Sequence, residues 1–328
     1  MAAPGTFKRT LKRPVCDYSH RLLMTTPYRL VRRTSKGAAP AALAWLVAVL
    51  SYWLNQQDGD CVTAESCANA ATGNDDYIIS DQAVQSFGQR YGLLNGADLA
   101  NVNQIMQSDG LPDNTKLFKE GPIAAVDWTN WEEMTAALSE LGPAGGLLKI
   151  AIDATELEGA ANDSLPFNFA FNFRGGNGTD HCTGLAGYGT AQSLLDALNA
   201  LYAAKAQAAG QSYSPVSLPS GIDPATPCLA MFSWKRYFII DWTSLKNIMR
   251  NGGECYIRQP SSIMTTNPNP GPGPGPAPQH PTRRGLALGV ELADLQAEGH
   301  SVFVESELAR LRSNIDSYRL QRSLAKES

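Results

Sequence analysis

The spacing of apolar positions predicts helices in the first half of the chain and mostly strands in the second half. Apolar residues that recur about every three to four positions predict helices, and short apolar runs between turn residues predict strands. The predicted helices cover about residues 41–54, 61–71, 81–91, 97–108, 131–141 and 193–209. The predicted strands cover about residues 122–126, 147–152, 181–186, 228–234, 237–240 and 254–258. Because helices and strands are segregated and do not alternate, the pattern favours an α+β fold.

Changes in composition mark the limits of the folded region. Residues 267–278 read NPNPGPGPGPAP, a Pro-Gly sequence typical of a linker with no packed core. We therefore predict a basic arm over residues 1–40, one domain over 41–262, a linker over 263–284 and an amphipathic helical tail over 285–328. Within the domain, a helical insertion is expected at about residues 191–226.

Charge is distributed unevenly along the chain. Residues 1–36 hold nine Lys or Arg and one acid, Asp17, a balance of +8. The rest of the chain holds 18 basic and 30 acidic residues, a balance of −12, so the whole chain has a net charge of −4. A basic arm is able to bind an anionic surface or to fold back on its own acidic body. Its interleaved apolar residues favour folding back. No nucleic-acid-binding motif accompanies the charge, so nucleic acid is not an expected partner.

The predicted tail carries one apolar seam. Its members recur at alternating spacings of four and three residues, which is typical of a short coiled-coil helix. They are Val304, Leu308, Leu311, Ile315 and Tyr318. Two heptads are too short to be stable alone, so we expect this helix to dock on a protein partner, on a second copy or on the main domain. The alternative is a solvated helix.

Several classes of protein are disfavoured by the sequence. Six cysteines in 328 residues, none with CxxC spacing, argue against a disulfide scaffold and a zinc site, and nothing indicates a cofactor. The longest apolar run, 41–54, is too short to span a membrane, and no secretory signal is evident. We therefore expect a cytoplasmic protein, alone or as part of a larger assembly.

Candidate chemistry centres on Cys61 and His181. Cys61 follows Asp60, an expected helix N-cap whose carboxylate accepts from free backbone N–H groups, and so begins a predicted helix. The helix dipole at that position is expected to lower the pKa of the thiol. Of the four histidines, only His181 lies in a predicted strand. A cysteine at a helix start, with a distant histidine on a strand, is typical of cysteine proteases.

Five segments in chain order resemble those of the papain-like cysteine peptidases. They are residues 55–61, the helix 131–141, the Gly-Pro and KIAIDA segments of 142–154, DHCTGLAGYG at 180–189 and GGECYIR at 252–258. The resemblance implies an N-terminal helical subdomain and a C-terminal antiparallel sheet or half-barrel, with a cleft between them. It further implies Cys61 as nucleophile, His181 as general base, and a peptide or protein substrate.

The chain departs from this family pattern at three positions. Asn55 stands where the family has the glutamine that stabilises the oxyanion, and Gln56 beside it is an alternative donor. Val62 replaces the tryptophan that follows the cysteine. No Asn-Ser-Trp follows the histidine strand, so the residue that orients the imidazole is either Ser233 or Asp241, and a carboxylate also stabilises the imidazolium.

Two functional hypotheses follow from these residues. The first is a cysteine hydrolase that works through an acyl-enzyme, with peptidase as the favoured activity. The second is a catalytically silent papain-like scaffold used for binding or assembly, which the departures, the basic arm and the tethered tail favour. The sequence alone leaves both open.

Overall fold

The computed structural model describes residues 39, 41–47, 50–55, 58–73, 78–114, 116–141, 146–258, 262–265 and 287–291. The helices within these residues are α1 Cys61–Gly73, α2 Asp81–Tyr91, α3 Leu99–Ser108, α4 Trp131–Leu141, α5 Thr155–Ala160, α6 Ala191–Ala208 and α7 Trp242–Met249. The strands are β1 Leu43–Val47, β2 Leu111–Asp113, β3 Lys116–Lys119, β4 Ile123–Ala125, β5 Leu148–Ile152, β6 Asn168–Ala170, β7 His181–Thr190, β8 Pro227–Ser233, β9 Arg236–Asp241, β10 Glu254–Arg258, β11 Ser262–Thr265 and β12 Ala287–Glu291.

A large, mostly antiparallel sheet organises the chain. Its main path runs β4-β10-β5-β7-β8-β9-β6, and β1 pairs with both β7 and β12. The β6–β9 pair is parallel, and the other pairs are antiparallel. A second sheet has the order β11-β3-β2. The α+β class predicted from the sequence is therefore confirmed as a mixed fold with one dominant antiparallel sheet.

The large sheet separates two hydrophobic cores. Successive residues of a strand point to opposite faces, so Leu185 of β7 lies in one core and Ala186 in the other. Helices α1 and α6 contribute to the core that contains Ala186. Helices α4 and α7 contribute to the core that contains Leu185. Both faces of β7 are therefore covered, and nine of its ten residues are buried.

Close packing explains the glycine that begins the Gly-Tyr-Gly segment. Strand β1 pairs with β7 through Leu43 and Ala44, opposite Tyr188 and Gly187. A Cβ atom on Gly187 would lie 2.4 Å from the carbonyl oxygen of Leu43. A β-bulge between Leu185 and Gly187 adjusts the register at the same point. Any larger residue at 187 would push β1 away from the sheet.

The helix predicted over residues 41–54 is wrong. The structure has strand β1 at Leu43–Val47, and all five residues are buried. A short, continuous apolar run has no polar face that would distinguish a buried strand from a buried helix. Pairing with β7 on one side and β12 on the other decides the conformation, because these ladders satisfy the backbone of the run.

The C-terminal region also differs from the expectation where it is described. Residues Ala287–Glu291 form β12, antiparallel to β1, although the predicted helical tail begins at residue 285. The tail seam residues 304–318, the arm residues 1–38 and the linker residues 266–286 lie outside the described residues.

The remaining predicted helices and strands are present, most with ends within two residues of the expectation. Missed elements are short or lie in segments that read as loops: β2, β3, β6, β11, α5 and α7. Among the helices in the described part of the chain, none has both the length and the apolar character needed to cross a membrane.

Four fully buried charged side chains form a network beneath the large sheet. The Arg258 guanidinium contacts Glu65 with a bidentate pair at 2.8 and 2.5 Å and Glu120 at 2.6 Å. The Lys149 ammonium lies 3.3 Å from Glu65 and 3.5 Å from Glu120. All four side chains have 0% exposure. Two cations thus balance two carboxylates among side chains that have no exposure to solvent.

Further hydrogen bonds complete the network and join it to five parts of the fold. Lys149 donates to Ser66 Oγ at 2.9 Å and to Asn103 Oδ1 at 2.7 Å. Arg258 donates to the Leu147 carbonyl at 2.9 Å. Burial acts to raise the pKa of Glu120, but Lys149 and Arg258 outweigh it and hold that pKa below its usual value. The network therefore connects α1, α3, β5, β10 and the β3–β4 connection.

Replacing Lys149 with Met should destabilise the protein by about 3–5 kcal/mol, because two buried carboxylates would keep one cation between them. Urea unfolding followed by circular dichroism measures the change. The matched control is Lys205→Met on the exposed side of α6, which should cost less than about 0.5 kcal/mol. Equal losses in the two variants would contradict a central role for the network.

Candidate functional site

Cys61 lies at the first residue of α1 and is 1% exposed. Its Sγ accepts a hydrogen bond from the backbone N–H of Cys182 at 3.3 Å. The first turn of the helix is closed by the Ala64 N–H, which donates to the Asp60 carbonyl at 3.0 Å. The thiol at the start of α1 is therefore in contact with the start of β7.

His181 is the first residue of β7, and it contacts Ser233 at the end of β8 and Trp234 in the turn that follows. Its Nε2 lies 2.8 Å from Ser233 Oγ. Its ring stacks on the Trp234 indole, with centroids 4.6 Å apart and an interplanar angle of 25°. These contacts fix both the plane and the rotation of a fully buried imidazole.

The turn that presents Trp234 has an unusual backbone. Trp234 and Lys235 join β8 to β9 with φ values of 45° and 67°. Two consecutive positive φ angles are typical of a type I′ hairpin turn, which Asn and Gly adopt most easily. A bulky residue here costs on the order of 1–2 kcal/mol. The contact between Trp234 and the imidazole is therefore held by a strained turn.

The start of β7 brings the predicted nucleophile and base into one region. His181 and Cys182 are consecutive, so the N–H that contacts Cys61 Sγ belongs to the peptide bond between these two residues. Cys182 shares a core with Cys61, whereas Trp234 lies in the core on the opposite face. The Cys61 thiol thus contacts the start of β7 from the side of α1. The His181 imidazole is held by Ser233 and Trp234.

The expected lowering of the Cys61 pKa is wrong. Burial raises the pKa of Cys61 to about 12; the Cys182 N–H opposes this shift, and the adjacent Asp60 adds to it. The helix dipole was expected to dominate, but desolvation of a thiolate that is 1% exposed is the larger effect. The resting side chain is therefore a neutral thiol.

Asp60 does not form the cap expected of it. Neither carboxylate oxygen accepts a hydrogen bond from any group in the part of the chain that the structure describes. Burial raises the pKa of Asp60 to about 8, and the neighbouring Asp58 and Asp81 act in the same direction. At neutral pH, Asp60 is therefore mainly a neutral carboxylic acid directly before the candidate nucleophile.

The two candidate orienting residues have different surroundings. Ser233 contacts the His181 ring, as described above. Asp241 instead caps α7: its Oδ1 accepts the Ser244 N–H at 2.9 Å, and its Oδ2 accepts the Asn172 N–H at 3.2 Å. The sequence did not favour a helix after Asp241, so this capping role was missed. By geometry, Ser233 is the candidate that orients the imidazole.

Asn55, the candidate oxyanion donor, is 4% exposed and lies in the turn before α1. Its backbone N–H donates to the Tyr52 carbonyl at 3.0 Å. Its Oδ1 is buried and accepts no hydrogen bond from the described residues. Gln56, the alternative donor, lies outside the described residues. Asn55 thus brings an amide group close to the chain that leads into Cys61.

The insertion expected at about 191–226 is a packed part of the fold. It consists of α6 and a following loop, and the side chain of Asn199 in α6 forms hydrogen bonds with that loop. The Asn199 side chain donates to the Val216 carbonyl at 2.9 Å and accepts the Val216 N–H at 2.9 Å. It also accepts the Tyr213 hydroxyl at 2.7 Å. The insertion therefore covers the same face of the sheet as α1.

Neither a metal site nor a disulfide is found within the described ranges. There, no three or more His, Cys, Asp or Glu side chains are grouped so as to hold a metal ion. The five cysteines in those ranges are free thiols. Sequence reasoning missed the stacking of Trp234, for which the Phe-Ser-Trp segment at 232–234 was the available signal.

No family model and no curated protein matches this sequence. Among solved structures, the chain is similar to the clostridial cysteine protease Cwp84 after propeptide cleavage, with a TM-score of 0.36 and 13% identity over 69% of this chain. It spans 55% of the length of that chain. It is also similar to the SERA5 proenzyme of Plasmodium falciparum, with a TM-score of 0.33 and 14% identity over 80% of this chain and 72% of that chain. Likeness at this level identifies no functional residue here.

Replacing Asp60 with Asn should change how stability depends on pH. The pKa of Asp60 is raised from 3.8 to about 8 on folding, so between these values the folded state holds a proton that the unfolded state has lost. Wild-type stability should therefore fall as pH rises through this window. The Asn variant should lack that loss and be more stable at pH 8 by more than about 1 kcal/mol, since each pKa unit corresponds to about 1.4 kcal/mol.

Urea unfolding at a series of pH values measures this effect. Asp196→Asn, on the exposed face of α6, is the matched control and should reproduce the wild-type pH profile. If Asp60→Asn also reproduces it, the carboxyl group is not buried in its neutral form.

Proposed function

We propose that this chain is a papain-like cysteine hydrolase that acts on peptide or protein substrates through an acyl-enzyme. Cys61 is the nucleophile, His181 is the general base, and Ser233 orients the imidazole. The observation that carries the proposal is the fixed position of His181, between Ser233 and Trp234, at the peptide whose N–H contacts Cys61 Sγ.

The proposed roles follow from which atoms are engaged. With Nε2 held by Ser233, proton exchange with the thiol falls to Nδ1 of His181. As Cys61 Sγ bonds to the substrate carbonyl carbon, its proton passes to the imidazole, which then protonates the leaving group. Water releases the acyl group with the same histidine as base. The Cys61 N–H and the Asn55 amide are the proposed donors to the oxyanion.

The raised pKa of Cys61 defines the kind of catalysis. A thiol with a pKa of about 12 is not a resting thiolate, so the proton must leave as the bond to carbon forms. The proposed enzyme therefore resembles a serine hydrolase in timing more than one with a preformed thiolate–imidazolium pair. Its activity then depends strongly on the position of His181.

The proposed arrangement has two parts on either side of the site. Helices α1 to α3, with the sheet of β2, β3 and β11, form the N-terminal helical part. The large sheet forms the second part, and the cleft lies where α1 and β7 begin. The basic arm over 1–40, the linker over 263–284 and an association helix within the tail complete the proposed domain organisation.

A second candidate is a silent scaffold used for binding or assembly. Two observations favour it. Cys61 is 1% exposed and His181 is 0% exposed, so a substrate reaches neither without movement. In addition, β12 ties the segment that precedes the tail seam to β1 along five paired residues. A tail anchored in this way is suited to joining this domain to a partner.

Labelling of Cys61 by iodoacetamide at neutral pH, located by mass spectrometry, distinguishes the candidates. For a hydrolase, His181→Ala should slow labelling at least about tenfold, because the acceptor of the thiol proton is lost. Ser233→Ala should slow it less. Cys67, a fully buried thiol in the same helix, is the internal control for opening of the fold. For a scaffold, the labelling rates of Cys61 and Cys67 should change by the same factor in both variants.

Removal of residues 292–328 tests the assembly role while retaining β12. If the tail seam joins this chain to a second copy, the molar mass from light scattering should fall to that of one chain, with the thermal unfolding temperature unchanged. Substituting Leu308 and Leu311 with Ser in the full chain is the matched control and should give the same result. An unchanged mass in both would exclude self-association through the seam.

A further inference from the structure

Lys149 of β5 is a buried amine that the proposed hydrolase mechanism does not use. Its Nζ donates to Oδ1 of Asn103, a buried residue of α3, at 2.7 Å. Because Oδ1 is bonded to Cγ, Lys149 Nζ lies within about 4 Å of the Asn103 amide carbon. Atoms about to form a bond are held about 3–3.5 Å apart, so a shift of less than about 1 Å brings the amine to that carbon.

One carboxylate is positioned to take a proton from Lys149. Glu120 Oε2 lies 3.5 Å from Lys149 Nζ, whereas Glu120 Oε1 accepts from Arg258 at 2.6 Å. Glu65 is also near Lys149, but both of its carboxylate oxygens accept from Arg258. Glu120 Oε2 is therefore the oxygen that Arg258 leaves to Lys149. Proton transfer from the ammonium to this carboxylate replaces two charges with two neutral groups, which burial favours.

The amide nitrogen of Asn103 lacks a partner in the part of the chain that the structure describes. Asn103 Nδ2 is buried and donates no hydrogen bond there. A buried donor without an acceptor costs free energy, because its hydrogen bonds to water have been lost. Release of this nitrogen as ammonia removes the unpaired donor. An attacking amine, a proton acceptor and a leaving group therefore occupy one buried cluster.

We propose that Lys149 and Asn103 form an intramolecular isopeptide bond. The Lys149 ammonium gives one proton to Glu120, and the neutral amine then bonds to Asn103 Cγ. As the Cγ–Nδ2 bond breaks, a second Nζ proton moves to the departing nitrogen, which leaves as ammonia. The third proton stays on the new amide, and Glu120 keeps the first. The total charge is unchanged, and the reaction needs no oxidant, reductant or co-reactant.

The isopeptide bond joins α3 to β5, a strand inside the large sheet. It covalently links two positions that are 46 residues apart in the chain. A cross-link of this kind stabilises a protein mainly by restricting its unfolded chain. The ionic network is the unreacted state of the same cluster, which stays neutral overall after the reaction. The inference is independent of whether Cys61 is reactive.

Mass spectrometry of the full chain after unfolding tests the bond. The expected mass is lower than that of the sequence by one ammonia. Succinimide formation at Asn95-Gly96 would give the same loss, so tryptic peptides are needed to locate it. The isopeptide bond predicts that residues 91–116 are joined to residues 120–174, with no cleavage after Lys149. An unreduced mass, or separate peptides with cleavage after Lys149, would overturn the proposal.

Three variants test the assigned roles. Asn103→Ala should have the full mass of its sequence and give separate peptides, because the amide carbon is absent. The matched control, Asn101→Ala, changes an exposed residue of the same helix and should retain the joined peptides. Glu120→Gln should lower the joined fraction at least about tenfold, since the proton acceptor is lost. A joined fraction in Glu120→Gln equal to that of wild type would overturn the role of Glu120.

Circular dichroism checks that each variant is folded, because the reaction requires the folded arrangement. If Asn103→Ala or Glu120→Gln does not fold, the wild-type peptides alone decide whether the bond exists.

Discussion

The buried ionic network of Glu65, Glu120, Lys149 and Arg258 is the constraint on which the rest of the structure depends. Each charge is stable there only because its partners are in place, so the segments that carry them have one arrangement. Glu65 lies one turn into α1, and Lys149 lies in β5, the neighbour of β7. The network therefore fixes the position of the helix that begins with Cys61 relative to the strand that begins with His181.

The site that results has an unusual balance of electrostatics and packing. Cys61 is desolvated and next to Asp60, so its thiol is neutral at rest. His181 is held firmly by Ser233 and Trp234, at the cost of a strained turn. Strain and desolvation of this kind are usual where residues are positioned for chemistry or binding. The reactivity of Cys61 then depends on local opening of the site.

Hydrolase and scaffold differ here in one physical respect, which is access to two buried side chains. The same closed arrangement that makes Cys61 unreactive at rest also protects it from unwanted reaction. Local opening around the start of α1 would change that arrangement. The anchored β12 strand lies on the far side of β1 from β7, so assembly through the tail is compatible with either function.

The sequence by itself determined the order and type of most elements, because periodic apolar positions and turn residues act locally. It also singled out Cys61 and His181, through a helix start and one strand. Tertiary structure decided the rest. Pairing made β1 a strand, capping of α7 engaged Asp241 and left Ser233 as the partner of His181, and burial reversed the expected shift in the Cys61 pKa. Pairing, capping and desolvation depend on residues far apart in the chain, which no local pattern encodes.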